Sequence, residues 1–193
     1  MVTKNLSLIP FEFAYELMSR LQKNHKENIL LFAKHYPVFT VGESEAGKFP
    51  FALKVDRGGS ITYFDEGTLM CYYIFKIENP ALFYRKIVKI FSEFFKNLSD
   101  EIYYDIKRPG FYIQNRKIAS LGFNYKNGVS KHGVSIHLNP NLENFNKINP
   151  CNLKGVTATS LKKEGIEISE SDIINKITAL TLKYFGEKNE TES

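Results

Sequence analysis

Only two cysteines, Cys71 and Cys151, occur in 193 residues, too few for a disulfide-stapled secreted scaffold. No apolar run approaches the roughly 20 residues that a bilayer span requires; the longest, such as MCYYIF from Met70, have strand length. The opening MVTKNLSLIPFEF lacks the basic, apolar and small-residue blocks of a signal peptide, so a cytoplasmic protein without a membrane partner is expected. Repeats, low-complexity linkers and heptads are missing as well, and residues 1–193 are expected to form a single domain with a conventional core. The four histidines, His25, His35, His132 and His137, do not follow a metal-ligand spacing. His132 and His137 stand five apart on an expected strand, where alternation sends them to opposite faces, so no metal is expected.

The net charge of +5 would serve nucleic acid or an acidic protein equally. Because the lysines are scattered and no nucleic-acid motif appears, nucleic acid is not an expected partner.

Periodicity predicts an amphipathic helix over Phe11–His25, with Phe11, Ala14, Leu17, Met18 and Leu21 on one stripe. Strands are predicted at Ile29–Phe32, Pro37–Gly42 and Thr68–Ile77. Pro80 suits the first turn of a second helix reaching Leu98, with Leu82, Phe83, Ile87, Ile90, Phe91, Phe94 and Leu98 as its apolar set. Beyond Glu101 the pattern returns to strands, with hairpin turns at Gln114–Asn115–Arg116 and Asn127–Gly128 and a strand at His132–Asn139. Ser171–Phe185 predicts a last helix. Strands and helices follow one another without regular βαβ alternation, which predicts an α+β fold with mixed sheet flanked by helices.

Cys71 lies inside an apolar strand and reads as core, whereas Cys151 follows a loop, where a thiol is either a small semi-buried residue or a nucleophile. A thiol with an ordinary pKa of about 8.5 needs a nearby cation to ionise at neutral pH. Lys117 begins a strand among small residues, and sequence spacing leaves open whether it meets Cys151. In Arg57–Gly58–Gly59 the glycines would let a ligand approach the backbone, and the arginine could hold a carboxylate, a phosphate or a neighbouring loop. The segment has neither the Walker lysine nor GxGxxG spacing, so it does not indicate a nucleotide site.

Taken in order, several blocks resemble the lipoyl(octanoyl) transferases of the biotin/lipoyl ligase superfamily. They are Pro37–Gly42, Arg57-Gly58-Gly59 with Thr62-Tyr63, Lys117-Ile118-Ala119-Ser120-Leu121-Gly122, His132-Gly133 with Asn139, Pro150-Cys151, and Thr159-Ser160-Leu161. The resemblance implies an α+β catalytic domain with an acyl-binding groove, no cofactor, and Cys151 and Lys117 as catalytic pair. It implies substrate contacts from Arg57, Gly58, Gly59, Thr62, Tyr63, Ser120, Leu121, Gly122, His132, Gly133 and Ser135. It also implies an octanoyl-acyl carrier protein as donor, and as acceptor a lipoyl domain of a 2-oxoacid dehydrogenase subunit or the glycine cleavage H protein, with the enzyme a monomer. Where that family reads His-Gly-Pro-Gly-Gln, this chain has Phe64-Asp65-Glu66-Gly67-Thr68; Asn152 replaces a glycine and His137 an asparagine. Tyr63–Gly67 is also similar to a stretch of ATP-dependent lipoate-protein ligases, which makes a ligase the second reading. A non-catalytic acyl- or carrier-binding relative is the third.

Overall fold

The computed structural model describes residues 1–148 and 156–186. An eight-stranded mixed sheet lies beside a three-stranded one. The large sheet runs in the order β1 (Val2–Ile9), β2 (Ile29–His35), β6 (Thr68–Ile74), β10 (Val129–His137), β9 (Arg116–Lys126), β8 (Gly110–Ile113) and β7 (Ile102–Tyr104), and β11 (Thr157–Ala158) also pairs with β9. The β1–β2 and β11–β9 pairings are parallel and the others antiparallel. The small sheet has the order β4 (Leu53–Val55), β3 (Val38–Gly42), β5 (Thr62–Phe64). Four α-helices accompany them among the described residues, α1 (Phe11–Lys23), α2 (Pro80–Lys96), α3 (Leu142–Asn146) and α4 (Glu170–Phe185), with a 3-10 helix at Glu43–Lys48. The arrangement is α+β, as the element order predicts.

Strand alternation divides the core in two. Leu30 and Phe32, Leu69, Cys71, Tyr73 and Phe75, and Val134 and Ile136 face one way and pack with the apolar sides of α2 and α4. Leu31 and Ala33, Met70, Tyr72 and Ile74, and Val129 face the other way, toward α1. Strand β6 is buried at every position, so its sequence is a continuous apolar run rather than an alternating one. Cys71 is fully buried and its thiol pKa is pushed far up by desolvation, the behaviour of a core residue.

Helix α2 starts as predicted, with Pro80 in the first turn and the Asn79 side chain accepting from the Leu82 amide at 3.0 Å. Leu82 departs from the expected inward set and is 48% exposed. Phe83 takes the inward direction instead, and its neighbour lies about 100° round the helix. The Asn127–Gly128 turn has positive φ at both residues, 52° and 71°, which matches a two-residue hairpin between β9 and β10. Strand β1 was without a sequence signal: half of its positions are exposed, and it is held by parallel pairing to β2 at the sheet's edge. No helix among the described residues is long and apolar enough to cross a membrane.

Candidate active site

The position of Lys117 depends on one extra residue. Phe111 pairs with Ala119 and Tyr112 with Lys117, so two consecutive residues of β8 face three of β9, and Ile118 is the bulge. Straight alternation would put Lys117 on the same face as Ala119, against α2. The bulge turns it instead to the face carrying Ser120 and Gly122. There its ammonium lies 5.5 Å from the centroid of the Tyr112 ring, and the side chain is only 6% exposed. Gly110 makes room for it: a methyl group there would collide with Lys117 Cε and stand 3.2 Å from Nζ and 2.8 Å from the Ala119 carbonyl oxygen. On the other edge of β9, β10 pairs as far as Ala119, and β11 takes over at Arg116 and Lys117. The Thr159 amide donates to the Lys117 carbonyl at 2.9 Å.

Lys117 lines a cavity of about 470 Å³. The wall comes from β6, β9 and β10, from Phe11 of α1, from Arg57–Thr62 and from Lys107–Pro109. Of the expected site residues, Arg57, Gly58, Gly59, Thr62, Lys117, Ser120, Leu121, Gly122, His132, Gly133 and Ser135 all line it. Tyr63 does not. It is 2% exposed and packs beneath the small sheet, 4.9 Å from Phe39 and 5.4 Å from Phe145 between ring centroids, because its neighbours Thr62 and Phe64 take the cavity side of β5. Cys151 lies outside the described residues.

Ile61, Phe64, Met70, Tyr72, Leu121 and Phe123 make the cavity largely apolar, with a few convergent polar groups, the usual character of a small-molecule site. Tyr72 is fixed from behind. The His35 Nδ1–H donates to the Ile9 carbonyl at 3.0 Å, and Nε2, 2.7 Å away, accepts from the Tyr72 hydroxyl. Burial lowers the His35 pKa, in keeping with this neutral form.

The two strand histidines overturn the expectation of opposite faces. His137 follows the alternation of Gly133 and Ser135. His132 has φ 66°, which breaks the alternation and brings it to the same side, and both histidines line the cavity. His137 is 2% exposed; its Nδ1–H donates to the Thr159 carbonyl at 3.0 Å. Desolvation pushes its pKa down to about 4, helped by the charge of Lys117 and opposed by the Thr159 carbonyl. It is therefore neutral near pH 7.

A charged cluster that the sequence did not announce holds the Arg57–Gly59 wall. Asp56 accepts from His132 Nε2 at 2.8 Å and from the buried Lys131 ammonium at 2.9 Å, while Lys131 also donates to Ser19 of α1 at 3.0 Å. The Asp56 carbonyl accepts from Asn124 at 2.9 Å. Burial alone would raise the Asp56 pKa, but hydrogen bonds from His132 and Lys131, with their charges, hold it well below the ordinary range. Arg57 then reaches the neighbouring strand, donating from Nη2 to the Thr40 carbonyl at 2.8 Å and to its hydroxyl at 2.9 Å.

Asp56→Asn should destabilise the protein by about 2 kcal/mol near pH 7, since Lys131 would keep its charge without a carboxylate; the carboxylate's partial exposure lowers the cost from that of a fully buried pair. A depressed folded pKa gives stability that is present above the unfolded value of about 3.9 and lost as pH falls through the folded one. Urea titrations at several pH values should show this acid-side slope in the parent and a shallower one in the variant.

In the stretch Phe64–Thr68, Asp65 has a structural task. One carboxylate oxygen accepts from the Gly67 amide at 2.9 Å and the other from the Asn141 amide at 2.7 Å, tying the β5–β6 turn to the segment after β10.

The large mixed sheet, the small sheet and the helices around them form a fold shared with solved lipoate protein ligases. A solved putative lipoate protein ligase from T. acidophilum with bound lipoic acid superposes with a TM-score of 0.75 over 95% of this chain and 86% of its own, at 12% identity. The sequence places the chain more narrowly: residues 8–180 match the model of the lipoyl protein ligase A/B catalytic domain, and the chain belongs to that family. An octanoyltransferase of Pseudomonas savastanoi pv. phaseolicola is 31% identical over 94% of this chain and 89% of its own. One from Dictyoglomus thermophilum is 32% identical over 92% and 84%.

Proposed function

We propose that the chain is an octanoyltransferase that takes an octanoyl group from an acyl carrier protein and passes it, through a thioester on Cys151, to the lysine of a lipoyl domain. The observation that carries this reading is Lys117, a buried cation set by a bulge at the wall of an apolar cavity. The octanoyltransferases at 31% and 32% identity support the same reaction class. Residues 1–193 would act as one catalytic domain, as a cytoplasmic monomer, and the positive charge suits acidic protein substrates.

Lys117 stabilises the Cys151 thiolate, which attacks the donor thioester. The carrier leaves as a thiolate and takes a proton from the Lys117 ammonium. The acceptor amine then attacks the acyl-enzyme, an amide forms, Cys151 leaves as thiolate and Lys117 recovers a proton. Main-chain amides near Lys117 and near the glycine loop are the candidates for steadying the oxyanion. The remaining cavity residues hold the acyl chain: burying its seven saturated carbons is worth about 6 kcal/mol, at roughly 0.8 kcal/mol each.

Incubation with octanoyl-acyl carrier protein should add one octanoyl mass to the intact protein. The adduct should be labile to hydroxylamine and absent from Cys151→Ser. No adduct during turnover would remove the thioester step. ATP-dependent attachment of free octanoate or lipoate that survives Cys151→Ser would make the chain a ligase, and carrier binding without either reaction would make it a binding module.

A further inference from the structure

A lane of small residues crosses the large sheet along the cavity floor. Antiparallel register sets Ser120 of β9 opposite Ser135 of β10, and Ser135 opposite Met70 of β6; in the next row Gly122 faces Gly133, and Gly133 faces Tyr72. All six line the cavity. Paired residues share a face of the sheet, so the floor is serine and glycine across β9 and β10, and the first large side chains met on crossing it are Met70 and Tyr72. Lys117 stands at the β9 end, turned to this face by the bulge. A methyl group on Gly122 would stand 3.2 Å from the Gly58 carbonyl oxygen, so the Arg57–Gly59 wall roofs the glycine row and leaves the serine row as the path toward β6.

The two side chains at the far end are not equivalent. Tyr72 is pinned through its hydroxyl to His35, and Phe11 meets His35 edge-on at 5.2 Å and stacks on Phe64 at 5.9 Å between centroids, which closes that side with rings. Met70 is unbranched and 5% exposed, and the residue paired with it on the next strand, β2, is the small Ala33. Ala33 is fully buried and takes no part in the cavity wall. The lane therefore ends where the methionine side chain stands, and β2, β6 and β10 alone set that position. Its length follows from the sheet: neighbouring strands lie about 4.8 Å apart, so β9 to β6 spans roughly 9.5 Å. An extended octanoyl chain, with seven C–C bonds each advancing about 1.25 Å, covers about 9 Å.

We propose that Met70 is a specificity-determining residue for acyl length, its side chain ending the lane at the point where the terminal methyl group of an eight-carbon chain comes to rest. The inference rests on the octanoyl-transfer reading, which puts the acyl carbon on the Lys117 side of the lane. No bond to Met70 forms or breaks.

Acyl length separates this role from simple packing. With the full chain and acyl carrier protein loaded with groups of four to twelve carbons, kcat/KM of the parent should rise by about fourfold per methylene up to eight carbons and fall beyond. Met70→Ala shortens the stop and should raise the ratio of decanoyl to octanoyl transfer at least about tenfold, the worth of two further buried methylenes. Ser135→Val puts bulk halfway along the lane and should turn the preference to hexanoyl or shorter. A parent profile with no fall beyond eight carbons, or a folded variant in which all lengths change in proportion, overturns the proposal.

A route independent of variant folding is the parent labelled with ¹³C-methyl methionine. The chain has three methionines; of the other two, Met1 is exposed and Met18 is fully buried outside the cavity wall. The Met70 methyl resonance should move when the octanoyl-enzyme forms and keep its place in the butanoyl-enzyme, whose chain is about 5 Å shorter. Equal movement with both adducts, or with neither, overturns the proposal. If the parent forms no acyl adduct of any length, the octanoyl-transfer reading itself fails; if adducts form and Met70 does not respond, that reading stands and the stop at Met70 alone is lost.

Discussion

Octanoyl transfer by Lys117→Met should fall by about two to four orders of magnitude, the range for loss of a positioned acid–base group. Methionine fills much of the same space, so it can occupy the room left by Gly110 and lie against the Tyr112 ring, and the fold should persist. The loss therefore belongs to the charge. The measurement is kcat/KM with octanoyl-acyl carrier protein and a lipoyl domain, with the rate of alkylation of Cys151 at pH 7 beside it. Without the ammonium the thiol should return toward its ordinary pKa of about 8.5 and react more slowly. Unchanged transfer by a folded Lys117→Met protein would remove Lys117 from the mechanism.

Gly110→Ala should cost about a hundredfold in transfer, although residue 110 has no side chain to offer the reaction. The added methyl group would collide with Lys117 Cε and stand 2.8 Å from the Ala119 carbonyl oxygen. The carbonyl is part of the strand and cannot yield, whereas the lysine can swing, so the displacement falls on the ammonium. A shift of about 1 Å at a reacting group is enough for a loss of this order. Overpacking should also lower stability by about 2 kcal/mol, visible as a reduced Tm. The decisive comparison is the double variant: if Gly110 acts through Lys117, adding Gly110→Ala to Lys117→Met should cost little further activity. Additive losses would mean that the glycine serves some other purpose.

The helices and most strands were legible because their signals are local. Pro80 with the inward row from Phe83, the Asn127–Gly128 turn, and the apolar run of β6 each state an element within a few residues. Arg57-Gly58-Gly59 and Lys117 stand out through the ordered motifs that surround them, and the fold brings them to the wall of one cavity. What the sequence withheld were departures from alternation. Ile118 has no mark of a bulge, and nothing in His132 announces a positive φ, yet these two positions decide which face Lys117 and His132 occupy. Asp56 stands next to the Arg57-Gly58-Gly59 motif with no local mark of its role, because its partners Lys131 and His132 are distant in sequence and meet it only on folding. Strand β1 was hidden by its edge position, where half-exposed residues blur the pattern.

The bulge at Ile118 also bears on how the sheet chooses its register. In a strand without the extra residue, Lys117 would point with Ala119 toward the side where Phe111 packs against Phe91 and Phe95. An unpaired ammonium there would cost several kcal/mol in lost hydration. The charge thus opposes the straight pairing at the same time as the bulge delivers it to the cavity. A lysine that serves the chemistry is in this way also a ruler for the strand that carries it, adding a penalty on the straight alignment to the packing that already favours the bulged one.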